Sequence, residues 1–166
     1  MSQNSLKSGA AVFIAPSRRT RDADEVSTAW QIDAYRFDAP VMAAPMDSVV
    51  SPESAITLGR LGIPAVLNLE GLWTRYADPA SQLEQIRQAP AHDATAILQR
   101  IYGEAPVDDG LVAERVRQIR DAGVTVAAGV SPQAAGRLAP VAVAAGIDLL
   151  VIRGTTVSAE HVSTSH

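Results

Sequence analysis

The stretch VMAAPMDSVVSPESAITLG, residues 41–59, decides how the rest of the chain is read. It opens with a short apolar run, residues 41–43, bracketed by Pro40 and Pro45. A strand tolerates proline at its ends because proline has no N–H to give to a ladder. Ser51 and Pro52 then supply an N-cap and a proline at the first helical position, and Ser54 stands where a capping-box acid would be. Ala55, Ile56, Leu58 and Leu61 form an apolar helical face that ends around Gly59 and Gly62. A buried strand, a short loop and a capped helix together make a β/α unit.

The unit repeats downstream. Residues 65–67 read as a second strand, ending in Asn68, Leu69, Glu70 and Gly71, where the glycine marks a tight turn or a close backbone approach. Asp78 and Pro79 repeat the cap-plus-proline start of a helix carrying Leu83 and Ile86. Further helices are expected over residues 94–102 and 109–121, the latter with Leu111, Val112, Arg115, Val116, Ile119 and Ala122 at helical spacing. Residues 124–130 read as a third strand, Ser131 and Pro132 open a helix that Gly146 closes, and residues 147–152 are an almost wholly apolar fourth strand. Upstream, residues 12–14 and 25–30 suggest the two strands of a short amino-terminal hairpin. Residues 1–12 are expected to be flexible, residues 13–163 to form the domain, and residues 164–166 to fray. The fold class is α/β with about four parallel core strands and outer helices. Four such strands make either a small open sheet or the amino-terminal half of a (β/α)8 barrel. A half barrel leaves two buried-type edges bare, so closure by a second copy or by a carboxyl-half polypeptide is expected.

Composition narrows the chemistry. The 166 residues are 47% apolar but only 4% aromatic, so the core must be built from Ala, Val, Leu and Ile. A net charge of −4 gives no general electrostatic reason to bind nucleic acid or an anionic membrane. The absence of cysteine excludes disulfides, thiolate metal sites and thiol nucleophiles within the chain. No run is long enough to span a bilayer, and a cytoplasmic protein is the expectation. His92, His161 and His166 form no metal-ligand pattern, Glu160–His161 reads as a solvated loop, and neither a Gly-x-Gly-x-x-Gly fingerprint nor a Walker A motif occurs. No residue is assigned a catalytic or metal-binding role.

In parallel β/α structures ligands gather beyond the carboxyl ends of the strands. The candidate positions are therefore residues 44–49, 68–71, 131–133 and 153–158. Pro45-Met46-Asp47-Ser48 has two readings. It is a rigid turn with Asp47 capping nearby amides, or a ligand loop in which Met46 is an apolar plate against a flat ring and Asp47 a polar anchor. Asn68 and Glu70 divide in the same way between turn chemistry and binding. Arg153-Gly154-Thr155-Thr156 combines a cation, a flexible residue and hydroxyls, enough to contact phosphate but short of a P-loop. Ser17-Arg18-Arg19-Thr20-Arg21 reads as a surface hairpin, with a phosphate entrance or a partner subunit as the alternative. Trp30, Tyr35 and Phe37 are expected to cover a barrel mouth or a packing surface.

The segments APSRRTR (15–21), VSTAWQIDAYRFDAPVMAAPMDSVVSPESAITLGRLG (26–62), VLNLEGL (66–72), AGVTVAAGVSPQ (122–133) and AGIDLLVIRGTTVSAEHVS (145–163) together resemble the amino-terminal half of the IMP dehydrogenase/GMP reductase family, most of all its actinobacterial branch. The resemblance implies a TIM barrel, usually a homotetramer, that places a purine nucleotide (IMP or GMP) and NAD or NADP over the carboxyl face. It implies substrate contacts from Ala44, Met46, Asp47 and Asn68, and cofactor contacts from Arg153, Gly154 and Thr155. Ala44 stands where many members have serine, and Arg153 where dehydrogenases commonly have aspartate. The resemblance also implies that residues 90–108 take the place of a pair of regulatory CBS modules. Its catalytic cysteine, which attacks the purine, belongs to the family's second half. The expectation is a fragment of an oxidoreductase of purine nucleotide metabolism, inactive alone and holding no cofactor tightly. The alternatives are a non-catalytic half-barrel module for oligomerisation or nucleotide binding, a GMP reductase-like fragment, and a remnant without function.

Overall fold

A computed structural model describes residues 22–154. The expected strand at 12–14, the arginine cluster, the Glu160–His161 pair and both expected loose termini lie outside the described residues. The chain runs through a 3-10 turn (Ala23–Glu25), β1 (Trp30–Ile32), β2 (Tyr35–Phe37), α1 (Pro52–Arg60), β3 (Val66–Asn68), α2 (Ala80–Gln88), α3 (Ala94–Glu104), α4 (Asp109–Asp121), β4 (Ala127–Val130), α5 (Pro132–Ala145) and β5 (Leu149–Ile152).

The main sheet is parallel in the order β3-β4-β5, with Leu67 opposite Ala128 and Ala128 opposite Leu150. Ala43 adds a parallel bridge to Ala65 on the free side of β3. Four successive strand positions therefore lie side by side in chain order, with helices between them, as in half of a (β/α)8 barrel. The outward face of the sheet carries Leu67, Ala128 and Val130. They pack with Val112, Val116 and Ile119 of α4, Leu138, Ala142 and Ala145 of α5, and Ala55 of α1. The three α4 side chains are essentially unexposed, and burying each contributes about 1.5–3 kcal/mol. On the other face Val66 and Ala127 are also buried.

Three expectations about strands need correction. Residues 41–43 are not a buried strand: only Ala43 pairs, and Val41 is 53% exposed. This segment is the sheet's edge among the described residues, and the prolines at 40 and 45 leave it little ladder to make. The third and fourth strands start later than residues 124 and 147, because Asp148 takes the Val126 N–H with its carboxylate before the ladder begins. The strand expected at residues 25–30 as the partner of residues 12–14 is misplaced: of that stretch only Trp30 lies in a strand, and the hairpin is formed by β1 with β2. Its register is set by Trp30 facing Phe37, with ring centroids 5.0 Å apart, and its turn uses Asp33 at φ +49, a conformation aspartate tolerates better than most residues.

The caps expected at Ser51 and Ser131 form, although Leu61, expected on the apolar face of α1, is the exposed residue that ends that helix. Ser51 Oγ accepts the Ser54 N–H at 3.1 Å while Ser54 Oγ accepts the Ser51 N–H at 2.9 Å, so serine replaces the usual acid in a reciprocal capping box. Ser131 Oγ caps α5 through the Ala134 N–H. Pro79, however, is the N-cap of α2 and not its first residue. Gly146 ends α5 at φ +94, where a side chain would strain the backbone and meet Arg120. No helix among the described residues is long and apolar enough to cross a membrane.

The hairpin's aromatics lie at the amino end of the sheet, away from the strand-to-helix loops. The Asp38 N–H bonds to the Gly62 carbonyl at 3.1 Å, and the Tyr35 hydroxyl donates to Asp148 Oδ1 at 2.9 Å. Asp148 thus ties the hairpin, β4 and β5 together. Asp148→Ala leaves the Val126 N–H without its acceptor and is expected to lower stability by about 1–3 kcal/mol, read from the urea midpoint. An unchanged midpoint would contradict this role.

Candidate functional site at the carboxyl rim

The opposite, carboxyl end of the sheet is where the loops after Ala43, β3, β4 and β5 meet, and they are cross-linked laterally. The Asp47 carboxylate reaches across to the second loop, where Oδ2 accepts the Leu72 N–H at 3.1 Å and the hydroxyl of Tyr102. The Asp47 carbonyl lies 3.4 Å from the Trp73 indole N–H that donates to it. Glu70, in the second loop, reaches the third. Its carboxylate accepts the Ser131 N–H at 2.6 Å and the Ser131 hydroxyl at 2.9 Å, at the amino end of α5, where negative charge is favoured. Arg153, just past β5, donates to Asn68 Oδ1 at 2.9 Å and lies 3.6 Å from Glu70. Asn68 Oδ1 also accepts the Glu70 N–H, an Asx-type turn.

Of the residues expected to bind substrate, Met46, Asp47 and Asn68 line one cleft of about 340 Å³, together with Pro45, Ser48, Leu72, Leu83, Ile86, Leu98 and Tyr102. Met46 is 53% exposed there. Ala44 begins the same loop but does not line the cleft, and its carbonyl accepts the Met46 N–H at 2.8 Å. Arg153 joins the cleft's margin through Asn68, Gly154 follows it, and Thr155 lies outside the described residues. Of the two readings of the Pro45–Ser48 turn, the structure shows the rigid turn, with Asp47 capping an amide of the next loop, and it leaves Met46 exposed in the cleft.

Two glycines make this packing possible. A side chain on Gly71 would overlap the Asp47 carboxylate, so of the two reasons the sequence offered for this glycine, close approach is the one that applies, its φ being an ordinary −88. Asp47 Oδ1 is buried there without a hydrogen-bond partner among the described residues. On the sheet's other face, a Cβ on Gly129 would stand 3.1 Å from the Pro45 ring. Pro45, two residues past the Ala43 bridge, therefore folds over a residue with no side chain.

The second loop is held by residues that sequence reasoning did not assign. Thr74 is buried and its hydroxyl donates to the Leu69 carbonyl at 2.9 Å. Arg115, expected to lie on the apolar face of α4, is buried, and its guanidinium donates to the carbonyls of Trp73 and Ala77 at 3.1 and 2.6 Å. Tyr102 carried no local signal, because its partner lies 55 positions away. Its only hint was its being one of few aromatic residues, next to the fully buried Ile101. Its hydroxyl is held protonated above the usual tyrosine range. Burial is the largest cause, followed by the hydrogen bond to Asp47 and that carboxylate's charge, with Arg75 and Arg153 opposing.

No family profile matches the chain. It is similar to an uncharacterized oxidoreductase of Mycobacterium tuberculosis strain H37Rv, at 54% identity over 158 residues covering 92% of this chain and 42% of that protein. An uncharacterized oxidoreductase of Mycobacterium leprae is 51% identical over the same shares. Among solved structures, an IMP dehydrogenase/GMP reductase-like protein from Corynebacterium glutamicum is 45% identical with a TM-score of 0.82, covering 91% of this chain and 42% of that one. The chain thus spans about two fifths of the length of the relatives it matches, and they are actinobacterial oxidoreductases.

Gly71→Ala displaces the Asp47 carboxylate and is expected to cost about 1–3 kcal/mol through its lost hydrogen bonds, with chemical-shift changes confined to the first two loops; an unperturbed Leu72 amide would contradict the geometry. The pH dependence follows from Tyr102. A folded pKa above the unfolded value of about 10 stabilises fully below that pH, and the stabilisation is lost as pH rises through the folded pKa. Tyr102→Phe should remove the most alkaline step of the tyrosinate absorbance titration and flatten the alkaline loss of stability.

Proposed function

We propose that the chain is the amino-terminal part of an IMP dehydrogenase/GMP reductase-like oxidoreductase and furnishes one wall of its purine nucleotide pocket. The observation that carries this reading is the convergence of Met46, Asp47 and Asn68 on a single rim cleft. The similarity to the corynebacterial protein supports it. An exposed thioether suits the face of a purine, and the Asn68 carboxamide suits its polar edge. Asp47 contributes by fixing the loop that carries Met46.

We assign Arg153, Gly154 and Thr155 to the side of a nicotinamide cofactor. The end of β5 offers a phosphate-bearing cofactor one guanidinium, held on Asn68 and offset in part by Glu70 at 3.6 Å, followed by a glycine. NAD or NADP, when bound, would accept or donate the hydride. The chain's own residues bind and orient, since without cysteine it supplies no thiolate nucleophile. Alone it is expected to bind nucleotide weakly and to turn nothing over.

The sheet edges support a strand-supplying partner, either a second copy or a carboxyl-half polypeptide. Val41 and Met42 are exposed beside Ala43 at one edge, and Ile152 is 58% exposed at the other. We place the protein in the cytoplasm, with neither nucleic acid nor membrane as a partner. The test is to mix the chain with the carboxyl-half polypeptide of a relative. IMP-dependent NADH formation or NADPH-dependent GMP reduction is expected, and a well-formed complex that does neither would overturn the reading.

A further inference from the structure

The helical pair α2 and α3 lies over the carboxyl rim without contributing a strand-covering helix. No residue of α2 is buried, and Ile101 is the one fully buried side chain of α3. Such a weakly rooted unit would ordinarily be a peripheral decoration. Its last turn, however, is bonded to two different strand-to-helix loops. The Tyr102 hydroxyl donates to Asp47 in the first loop. Arg75, from the second loop, donates to the carbonyls of Tyr102 and Ala105 at 2.9 and 2.6 Å, and its guanidinium carbon lies 5.2 Å from the Tyr102 ring centroid. The same guanidinium donates through Nε to the Glu70 carbonyl at 3.0 Å, and the Tyr76 hydroxyl donates to the Ile101 carbonyl at 2.7 Å. Three carbonyls at the α3 terminus, those of Ile101, Tyr102 and Ala105, are thus satisfied by side chains of the second loop.

We infer that Tyr102 is a positioning residue for the nucleotide loop: through its hydrogen bond to Asp47 it fixes the turn that presents Met46, so the seating of α3 sets the order of the pocket. The geometry makes this specific. Asp47 Oδ2 accepts both Tyr102 and the Leu72 N–H, while Asp47 Oδ1 has no partner among the described residues, so that one oxygen carries the hydrogen bonds that hold this carboxylate. The Val49 and Val50 N–H groups bond to the Met46 carbonyl at 2.9 and 2.8 Å, so a turn released at Asp47 loosens at those two amides. Tyr102, Leu98, Leu83 and Ile86 also line the cleft beside Met46, so displacement of the helices would open it as well as loosen its floor. The consequence for nucleotide affinity rests on the function proposed above, whereas the loop's mobility does not.

The test is amide hydrogen exchange on the full chain. Tyr102→Phe should speed exchange at Val49, Val50 and Leu72 by about tenfold or more while the amides of β4 and α5 keep their rates. In an Asp47→Ala background, which has no side-chain acceptor, the same substitution should add little, because the effect passes through that carboxylate. Unchanged exchange at the three amides, an acceleration shared equally by β4, or full additivity with Asp47→Ala would overturn the inference. Calorimetric titration with IMP separates the two claims. Binding by the wild type that weakens several-fold in Tyr102→Phe supports positioning, and equal binding by both overturns it. A wild type that binds no IMP counts against the proposed function, with the exchange rates still deciding the role of Tyr102.

Discussion

Two carboxylates that reach out of their own loop to the backbone amides of the next one hold the carboxyl end of this fold together. Asp47 takes the Leu72 N–H and Glu70 takes the Ser131 N–H, each across a neighbouring strand. Hydrogen bonds to an ionised acceptor are stronger than neutral ones, and removing an acceptor leaves an amide to be desolvated for nothing. The rim is therefore ordered by sideways ties and not by α1, α4 and α5 alone, whose packing lies on the sheet's outer face. Arg153 closes the chain of contacts by returning from the last strand to Asn68 and Glu70.

This arrangement explains why ordinary turn chemistry would not serve after the Ala43 bridge. Pro45 lies over Gly129, Asp47 fills the space left by Gly71, and Met46 between them is left exposed in the cleft. The two glycines belong to other strands and loops than the residues they accommodate. At the amino end a single carboxylate, Asp148, does the corresponding work for the hairpin. The sheet is pinned at both ends by acids, while its middle relies on small aliphatic side chains.

What could be read from the sequence follows the range of the interactions. The helix starts at Ser51 and Ser131 were legible because a cap and its amide are three residues apart, and α4 was legible because its apolar spacing is local. The rim positions of Met46, Asp47, Asn68 and Arg153 followed from where strands end. The exposure of Val41 was not legible, since an edge strand and a central one share the same apolar run. Nor was the hairpin's start, which the Trp30–Phe37 pair decides over the extended preferences of Val26 and Thr28. Arg115 looked like part of an apolar stripe because spacing cannot tell a buried leucine from a guanidinium that finds two carbonyls. Tyr102 depended on a partner in a distant loop.

The central claim is that the four loops at the carboxyl end form one wall of a nucleotide pocket. Amide chemical-shift mapping of the chain during titration with IMP tests it most directly. The account predicts shifts that cluster at Met46, Asp47, Asn68, Gly71, Ser131 and Arg153, with Asp38, Gly62 and Asp148 at the opposite end unmoved. Shifts centred on that opposite end, or no saturable shifts at the rim, would contradict it.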